Sequence, residues 1–291
     1  MAKATGALRV LGIDVPSTLA EQWARWLAPV RQPFLVDASD PLADDSITCP
    51  LELTDTYEMY GLSRRGLSLT WLDEAAFTCL PRDRRAELVR SQVVHRRAAV
   101  PTVRAWGSRV GEVARSQADG HRFVWWPSLL GDHRDRVLTD FVTNDRLPSQ
   151  HELVPAGVWK AGEKVLPGAR QLAGTFLPAS GPNCFGTVLA ITGAGDDQPG
   201  NVVREPFEDW LAAATRPAPS GREIDNHVGT VFVWRSSDGS ADHAGVALGG
   251  GWAMHKPSQG WMSPVKVLAV EDLKRRGRGR GLRLHRYRLV T

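Results

Sequence analysis

Three consecutive glycines, Gly249–Gly251, separate two short segments that are rich in apolar and small residues and that each carry a histidine. These segments are Asp242–Leu248 and Trp252–His255. Glycine adopts, without a steric cost, the left-handed backbone conformations that tight turns between antiparallel strands require. The pattern therefore predicts a β-hairpin, and a hairpin restricts which of its side chains can share a face of the sheet.

The loop length of this hairpin decides how its two histidines are placed. If the three glycines form a three-residue loop, Leu248 pairs with Trp252 and Gly245 pairs with His255. His243 then lies on the same face as His255, one diagonal step away. A two-residue loop would put the two histidines on opposite faces. Three glycines favour the longer loop, so we expect His243 and His255 to lie side by side.

Further strands follow and precede the hairpin. Apolar or alternating runs predict strands at Thr230–Trp234, Val265–Val270 and Leu282–Leu289, and helices are predicted at Cys184–Ile191 and Pro206–Ala214. Helices followed by a series of strands indicate an α+β fold. Residues 157–181 hold five glycines and two prolines, so we place a boundary at their start. Residues 1–156 then form an N-terminal domain of mixed helices and strands. Its fold is not determined by the sequence, and it is a candidate substrate-binding domain. Residues 157–291 form the second domain.

Cys184 stands at the start of a predicted helix. Asn183 is a favourable N-cap residue, and Gly193 is a favourable residue just beyond the helix end. The unpaired N–H groups and the positive dipole of a helix N-terminus favour a thiolate over a thiol, which suits a nucleophile. The alternative is a cysteine that only packs in the core, as free cysteines commonly do.

Several segments, taken in order, carry a resemblance to one family. They are Asn183-Cys184 opening a helix, the strand Gly229–Arg235, then His243-Ala-Gly-Val-Ala-Leu-Gly249, Ala253-Met-His-Lys-Pro257 and Leu284-His-Arg-Tyr-Arg288. Over about residues 180–291, the chain resembles the NlpC-type papain-like cysteine peptidases. The resemblance implies a papain-like fold, in which the helix that bears the cysteine packs on an antiparallel sheet. It also implies that Cys184 is the nucleophile, that His243 is the general base and that His255 orients His243.

The chemistry of these residue types is acyl transfer to a cysteine. The imidazole takes the thiol proton, and the sulfur attacks a carbonyl carbon to give an acyl-enzyme. Backbone N–H groups at the helix start, beside Asn183 and Phe185, are suited to stabilise the oxyanion. With water as acceptor the protein is a peptidase or amidase. With an amine or alcohol it is a thiol acyltransferase or a tailoring enzyme on a small intracellular metabolite, and the sequence leaves both open.

Aromatic residues are candidates for the walls of a substrate pocket. Trp252 follows the hairpin glycines and Trp261 follows His255 by six positions, so either could contact a substrate. Tyr57 and Tyr60 are candidates from the N-terminal domain, because the family's tyrosine shortly before the cysteine has no counterpart here. The alternative for most of the tryptophans is packing in the core or at its rim.

The basic charge of the chain is concentrated near its end. The sequence has 36 Lys and Arg against 32 Asp and Glu, and eight of the basic residues but no acid lie in Lys274–Thr291. A non-catalytic protein that binds nucleic-acid phosphates through residues 274–288 is therefore a third hypothesis. Since the arginine run stands between two predicted strands, we favour a solvated connecting loop over nucleic-acid binding.

We expect neither a metal nor an organic cofactor. The three cysteines form no Cys-x-x-Cys pair, and the scattered histidines lack the spacing of the common metal motifs. No apolar run approaches about 18 residues and the first residues lack the apolar centre of a secretory signal, so no membrane span is expected and the cytoplasm is the expected location. The expected partner is a peptide-like or acylated small-molecule substrate.

Overall fold

The computed structural model describes residues 8–44, 46–60, 66–144, 146–277 and 281–290. The described chain is an α+β protein, as the sequence predicts, and its paired strands run antiparallel. It divides into two compact units, of which the first comprises residues 1–9 and 14–144 and the second comprises residues 10–13 and 145–291. No helix in the described ranges is both long and apolar enough to cross a membrane.

The first unit consists of helices around a two-stranded sheet. The described chain begins with the short paired strands β1 (Leu8–Val10) and β2 (Ile13–Val15), of which residues 10–13 belong to the second unit. The elements that follow are α1 (Ser17–Leu27), β3 (Arg31–Asp37), α2 (Leu51–Thr56), β4 (Leu67–Asp73), α3 (Glu74–Cys79), α4 (Arg82–Val94), α5 (Val103–Ser116, broken at Gly111), α6 (Pro127–Leu130), a 3-10 turn (Gly131–His133) and α7 (Arg134–Thr143).

Aromatic side chains and one buried amide hold this unit together. Phe34 of β3 stacks on Phe77 with ring centroids 5.3 Å apart, and Trp126 packs against both rings. The buried amide of Gln92 accepts from the backbone N–H of Leu35 at 3.0 Å and donates to its carbonyl at 3.0 Å. Because both polar groups of the amide are satisfied, Gln92 fixes α4 on the strand without an unpaired buried group.

The second unit combines helices with a six-stranded sheet. Its elements are a 3-10 turn (His151–Leu153), α8 (Ala156–Gly162), α9 (Ala169–Leu172), α10 (Cys184–Thr192), α11 (Arg204–Ala214), β5 (Thr215–Ala218), α12 (Arg222–Asp225), β6 (Thr230–Arg235), β7 (Ala241–Gly249), β8 (Trp252–His255), β9 (Lys266–Ala269), α13 (Val270–Gly277) and β10 (Arg283–Leu289). The strand order is β5-β10-β6-β7-β8-β9.

The division between the units falls after Asn144, whereas the sequence places the boundary at residue 156. Residues 145–156 belong to the second unit because they bond along its edge strand β9. Gln150 N–H donates to the carbonyl of Val267 at 2.8 Å, and Val267 N–H donates to Ser149 Oγ at 3.2 Å. A segment that satisfies the open edge of a sheet is part of that sheet's domain, although its sequence carries no strand pattern.

The two faces of the six-stranded sheet pack against different helices. One face shares a core with α10, through Val231, Val233, Ala244, Val246 and Met254. The other face carries Phe232, Trp234, Ala247 and Ala253, which pack with Leu273 of α13. Side chains alternate between faces along a strand, so His243 and His255 lie on the face of Trp234 and Ala253.

The hairpin between β7 and β8 differs in detail from its prediction. Gly249 pairs with Trp252, so the predicted pair of Leu248 with Trp252 is wrong and the turn is two residues long. The register shifts between Ala247 and Gly249, and this bulge adds one residue to β7. Because of the extra residue, the pairs beyond the bulge are those that the longer loop would give, with Ala247 opposite Ala253 and Val246 opposite Met254. Gly245 therefore stands opposite His255, as expected, and both histidines face the same way.

Part of the predicted basic loop is helical. Val270–Gly277 form α13, so residues 274–277 do not belong to a loop, and residues 278–280 lie outside the described part of the chain. Acidic Glu271 and Asp272 occupy the first turn, where they suit the helix dipole, and each pairs with a basic residue three positions on. Leu273 anchors the helix on the sheet.

Candidate active site

Asn183 fixes the start of the helix that carries the cysteine. Its side-chain oxygen accepts from Gly186 N–H at 3.0 Å, which confirms the predicted N-cap, and Gly193 ends the helix in the left-handed conformation. The amide nitrogen of Asn183 donates to the carbonyl of Val202 at 2.7 Å. The adjoining loop lies so close to the helix that a side chain at Gly186 would collide with the carbonyl of Gly200.

The sulfur of Cys184 lies at the point where β8 ends. The carbonyl of Ala247 points toward β6, where it accepts from Gly229 N–H at 2.9 Å. The backbone groups of successive residues in a strand point alternately to its two neighbours, so the N–H of Ala244, three residues earlier, points to the side of β8. Because β8 ends at His255, which stands opposite Gly245, β8 has no residue to pair with this N–H. The sulfur of Cys184 accepts the hydrogen bond from Ala244. Cys184, the predicted nucleophile, is thereby held beside the strand that carries His243.

Two opposing effects set the acidity of the Cys184 thiol. Cys184 is only 9 % exposed, and this burial raises the pKa of its thiol to about 11. Hydrogen bonds from the backbone N–H groups of Ala244, Phe185 and Cys184 act in the opposite direction. The sequence predicts a thiolate from the helix N-terminus alone, whereas burial outweighs that contribution and leaves a neutral thiol at pH 7.

His243 and His255 form a hydrogen-bonded pair. His243 Nε2 lies 3.0 Å from His255 Nδ1, and the two rings meet edge to face with centroids 5.2 Å apart. The ring of Trp234 lies on another side of His243, at 5.4 Å between centroids. A pair joined through these two nitrogens directs the other nitrogen of His243, Nδ1, away from His255.

The absence of a side chain at Gly245 makes this histidine pair possible. A Cβ atom at Gly245 would lie 2.9 Å from the carbonyl oxygen of Met254 and 3.3 Å from the Cβ of His255. It would also contact Leu273 at 3.4 Å. The strand that carries His255 therefore packs directly on the backbone of Gly245, which brings the two rings within hydrogen-bond distance.

Cys184, His243 and His255 line one cavity of about 680 Å³, and all the residues around it belong to the second unit. That volume is in the usual range for a small-molecule site. Arg146, Lys266 and Asp242 are its charged residues, and the remaining walls are formed by Leu147, Asn183, Phe185, Trp234, Pro257, Ser258, Gln259, Ser263, Leu268, Leu273 and Leu282. The cavity thus joins the three predicted catalytic residues with the two predicted neighbours, Asn183 and Phe185.

The predicted pocket aromatics lie elsewhere. Trp261 is fully buried, with its backbone N–H donating to Ser180 Oγ at 3.0 Å, and Trp252 packs against the core on the α10 face. In the first unit, Tyr57 is buried and its hydroxyl donates to the carbonyl of Leu27 at 2.5 Å, while Tyr60 is 55 % exposed. None of the four is among the residues that line the described cavity.

Three further side chains shape the site. The sequence places Trp234 near it, whereas sequence reasoning missed two lysines. Trp234 pairs with His243 across β6 and β7, and Lys266 pairs with His255 across β8 and β9. Both belong to predicted strands, so a full register of the sheet would have placed Lys266 on the histidine face. Lys256 is fully buried and donates to the carbonyls of Ser258 and Gly260 at 2.6 and 3.1 Å. It fixes the loop that supplies one wall, and no sequence pattern indicates this role.

Within the described ranges, no group of three or more His, Cys, Asp and Glu side chains is arranged to hold a metal ion. Comparisons of the chain with protein-family models, with curated proteins and with solved structures found no match. The resemblance to the NlpC-type peptidases therefore depends on the residues of the site and their order.

Proposed function

We propose that this protein is a cysteine-dependent hydrolase of the papain-like type, which cleaves an amide or related acyl bond through Cys184, His243 and His255. The observation that carries the proposal is the histidine pair, His243 Nε2 to His255 Nδ1 at 3.0 Å, in one cavity with a cysteine at a helix N-terminus. A helix bearing the cysteine on one face of an antiparallel sheet supports the papain-like assignment.

The hydrogen bond between the histidines assigns a role to each ring nitrogen. In the proposed mechanism His243 Nε2–H donates to His255 Nδ1, which leaves Nδ1 of His243 unprotonated and able to take the thiol proton. His255 keeps this tautomer and stabilises the imidazolium that forms. Because the pKa of Cys184 is raised, the proton moves as the sulfur attacks and no stable ion pair precedes the reaction.

The remaining steps use the backbone at the start of α10. The N–H groups of Cys184 and Phe185 lie next to the sulfur, where the oxyanion of a tetrahedral intermediate would form. The imidazolium of His243 then protonates the leaving amine, which departs and leaves a thioester on Cys184. Water, deprotonated by His243, hydrolyses the thioester and restores the thiol.

The charge of the cavity wall bears on the substrate class. Arg146 and Lys266 line the cavity, and Lys266 is almost fully buried with its ammonium group on the carbonyl of Leu147 at 2.6 Å. Two cations against one acid, Asp242, favour a peptide-like or acylated substrate that carries a carboxylate. Hydrolysis is the proposed outcome, since water reaches any open cavity and no second acceptor site is needed.

Acylation by an activated ester tests the proposal. p-Nitrophenyl acetate and the p-nitrophenyl monoester of succinate should acylate Cys184, with the succinyl ester reacting faster, as followed by nitrophenolate release and by mass spectrometry of the peptide that contains Cys184. Cys184→Ala should abolish the burst, and His243→Ala should slow it by on the order of 100-fold. Acylation of Cys49 or Cys79 in preference to Cys184, or an unchanged burst in Cys184→Ala, would contradict the proposal.

A further inference from the structure

One amide side chain on the wall of the cavity that contains Cys184 is not used by the fold. Gln259 lines this cavity and is partly exposed. Its backbone carbonyl is engaged, since it accepts from Gly181 N–H at 3.0 Å. Within the described ranges its side-chain amide makes no hydrogen bond, so its two N–H donors are available to a bound molecule.

The loop that carries Gln259 is fixed beside the start of α10. Gly181 lies three residues before Cys184, so its bond to Gln259 ties the loop to the segment that enters the helix. A bond from Trp261 N–H to Ser180 Oγ at 3.0 Å lies next to the first one. The carbonyls on either side of Gln259 accept from a buried lysine ammonium group. The backbone at Gln259 is therefore held in place before any substrate binds.

The other uncharged amide and hydroxyl groups of the described cavity wall hold the fold itself. They belong to Asn183, Ser258 and Ser263. The side-chain oxygen of Asn183 caps α10, and its nitrogen donates to the loop after that helix. Buried Ser263 accepts from Ser258 N–H at 3.0 Å, and Ser258 Oγ accepts from Gly260 N–H at 3.4 Å. This leaves the amide of Gln259 as the group free to act on a substrate.

The proposed acyl transfer creates a need for such a donor. When the sulfur of Cys184 bonds to a carbonyl carbon, the electron pair of the C=O bond moves to its oxygen, which becomes an oxyanion. Backbone N–H groups at the start of α10 lie next to the sulfur and supply donors from one side. A side-chain amide held on the wall of the same cavity can supply a donor from another side.

We propose that Gln259 is a further catalytic residue, whose side-chain Nε2–H donates a hydrogen bond to the oxyanion. This role rests on the function proposed for Cys184. Gln259 neither takes a proton nor forms a covalent bond. It stabilises the negative oxygen until the C=O bond reforms and the leaving group departs. Since the charge exists only after attack, Gln259 lowers the barrier and contributes little to the binding of the substrate.

Single-turnover acylation by p-nitrophenyl acetate tests the role, because it gives the rate constant and the affinity separately. In Gln259→Ala the rate constant should fall by about 100-fold, with the apparent dissociation constant changed by less than about threefold. Gln259→Glu keeps the shape but carries only acceptors at neutral pH, so it should lose at least as much. Gln171→Ala removes an exposed glutamine from α9 and is the matched control, with an unchanged rate.

Two comparisons distinguish an oxyanion donor from a residue that only shapes the site. Alkylation of Cys184 by iodoacetamide forms no oxyanion, so its rate should be the same in Gln259→Ala and in the unchanged protein. O-(p-Nitrophenyl) thionoacetate places a sulfur, a weak acceptor, where the oxyanion forms. The advantage of the oxygen ester over this thiono ester should therefore shrink by at least about tenfold in Gln259→Ala.

Failure of this role and failure of the hydrolase give different results. If the unchanged protein is not acylated at Cys184, the hydrolase is contradicted and the role of Gln259 with it. If the unchanged protein is acylated and Gln259→Ala reacts at the same rate, only the role of Gln259 is overturned. Equal falls in acylation and alkylation, or an unchanged ratio of the two esters, would also overturn it, because the side chain would then act on the thiol or on the fold.

Discussion

At the scale of single residues, Cys184 is subject to two opposing influences. The start of α10 supplies N–H donors that favour the thiolate, while burial favours the thiol and raises its pKa to about 11. At pH 7 the thiol is the main form, so reactivity depends on how readily the proton can be removed. In the proposed mechanism this is the task of Nδ1 of His243.

The pH dependence of alkylation tests this division of roles. In His243→Ala, the rate of Cys184 alkylation by iodoacetamide should rise about tenfold per pH unit from pH 7 toward pH 10, because the rate then follows the thiolate fraction below a pKa of about 11. The unchanged protein should react faster than the variant at pH 7 and depend less on pH. Mass spectrometry of the Cys184 peptide gives the rates.

Exposed Cys79 is the internal reference for this experiment. Its alkylation should be the same in both proteins at each pH, which controls for reagent and unfolding. Identical Cys184 profiles in the two proteins would show that His243 does not act on the thiol.

In the proposed mechanism His255 is a positioning residue, and a conservative variant distinguishes that role from merely filling space. His255→Asn retains an oxygen that can accept from His243 Nε2–H, whereas His255→Leu fills the space without an acceptor. We expect the leucine variant to lose on the order of 100-fold in acylation rate and the asparagine variant to lose much less. The measurement is the nitrophenolate burst over pH 5–9. Equal losses in the two variants would indicate that His255 only fills space.

At the scale of elements, β7 and β8 must approach closely around Gly245. In Gly245→Ala, the added Cβ would lie 2.9 Å from the carbonyl of Met254, so β8 must shift relative to β7. We expect a loss of about 1–3 kcal/mol in the free energy of unfolding, as for other overpacked cores, and a larger fractional loss of acylation rate because His255 moves. Urea unfolding and the burst assay measure the two effects.

Gly157→Ala is the matched control for that substitution. Gly157 lies in α8, and a Cβ at this position meets no atom within 4 Å. Alanine is the better helix former, so this variant should be neutral or stabilised by up to about 1 kcal/mol. An acylation rate equally reduced in both variants would mean that the close approach at Gly245 is not what positions the histidines.

At the scale of the whole molecule, the concentration of basic residues near the C-terminus is partly neutralised by acids of the same unit. Asp225 of α12 accepts from Lys274 at 2.8 Å and from Arg286 at 2.7 Å, and Arg275 pairs with Asp272 at 3.2 Å. Of these carboxylates, Asp225 ties α13 and β10 to α12, whereas Asp272 pairs within α13. They lower the positive charge that the segment presents, and this weighs against nucleic-acid binding.

Stability at acid pH should reveal the Asp225 network. Burial acts to raise the pKa of Asp225, but the hydrogen bonds and positive charges of Arg286 and Lys274 together outweigh it and hold the pKa below its ordinary value. The stabilisation is therefore complete above the unfolded-state pKa of about 3.9 and is lost as pH falls through the lower folded-state pKa. Asp225→Asn should cost about 3 kcal/mol at pH 6, because it leaves the mostly buried Arg286 without a carboxylate and leaves Lys274 with only the exposed Glu271.

Thermal or urea unfolding of both proteins between pH 6 and pH 3 checks this expectation. The difference in unfolding free energy should stay constant down to about pH 5 and shrink below about pH 4. The exposed pair of Arg9 with Asp14 supplies a control, since Asp14→Asn should change stability by less than about 1 kcal/mol. A difference for Asp225→Asn that is independent of pH would show that the ion pairs are not its cause.

Local pattern predicted much of the site. The N-cap at Asn183, the left-handed Gly193 and the shared face of His243 and His255 each follow from neighbouring residues, and the structure confirms all three. The predicted three-residue loop at the glycines is wrong, yet the bulge at Leu248 preserves the pairing of Gly245 with His255. A bulge depends on how the strand packs, and a single sequence does not reveal that.

The sequence by itself determined the α+β class, the helix that bears Cys184 and the phase of the two histidines, because capping and strand alternation are local properties. Only the tertiary structure decided the raised pKa of Cys184 and the edge contacts of residues 147–150 with β9. Each of these depends on burial or on pairing between distant segments. Burial and long-range pairing are fixed by how the whole chain packs, and no run of neighbouring residues specifies them.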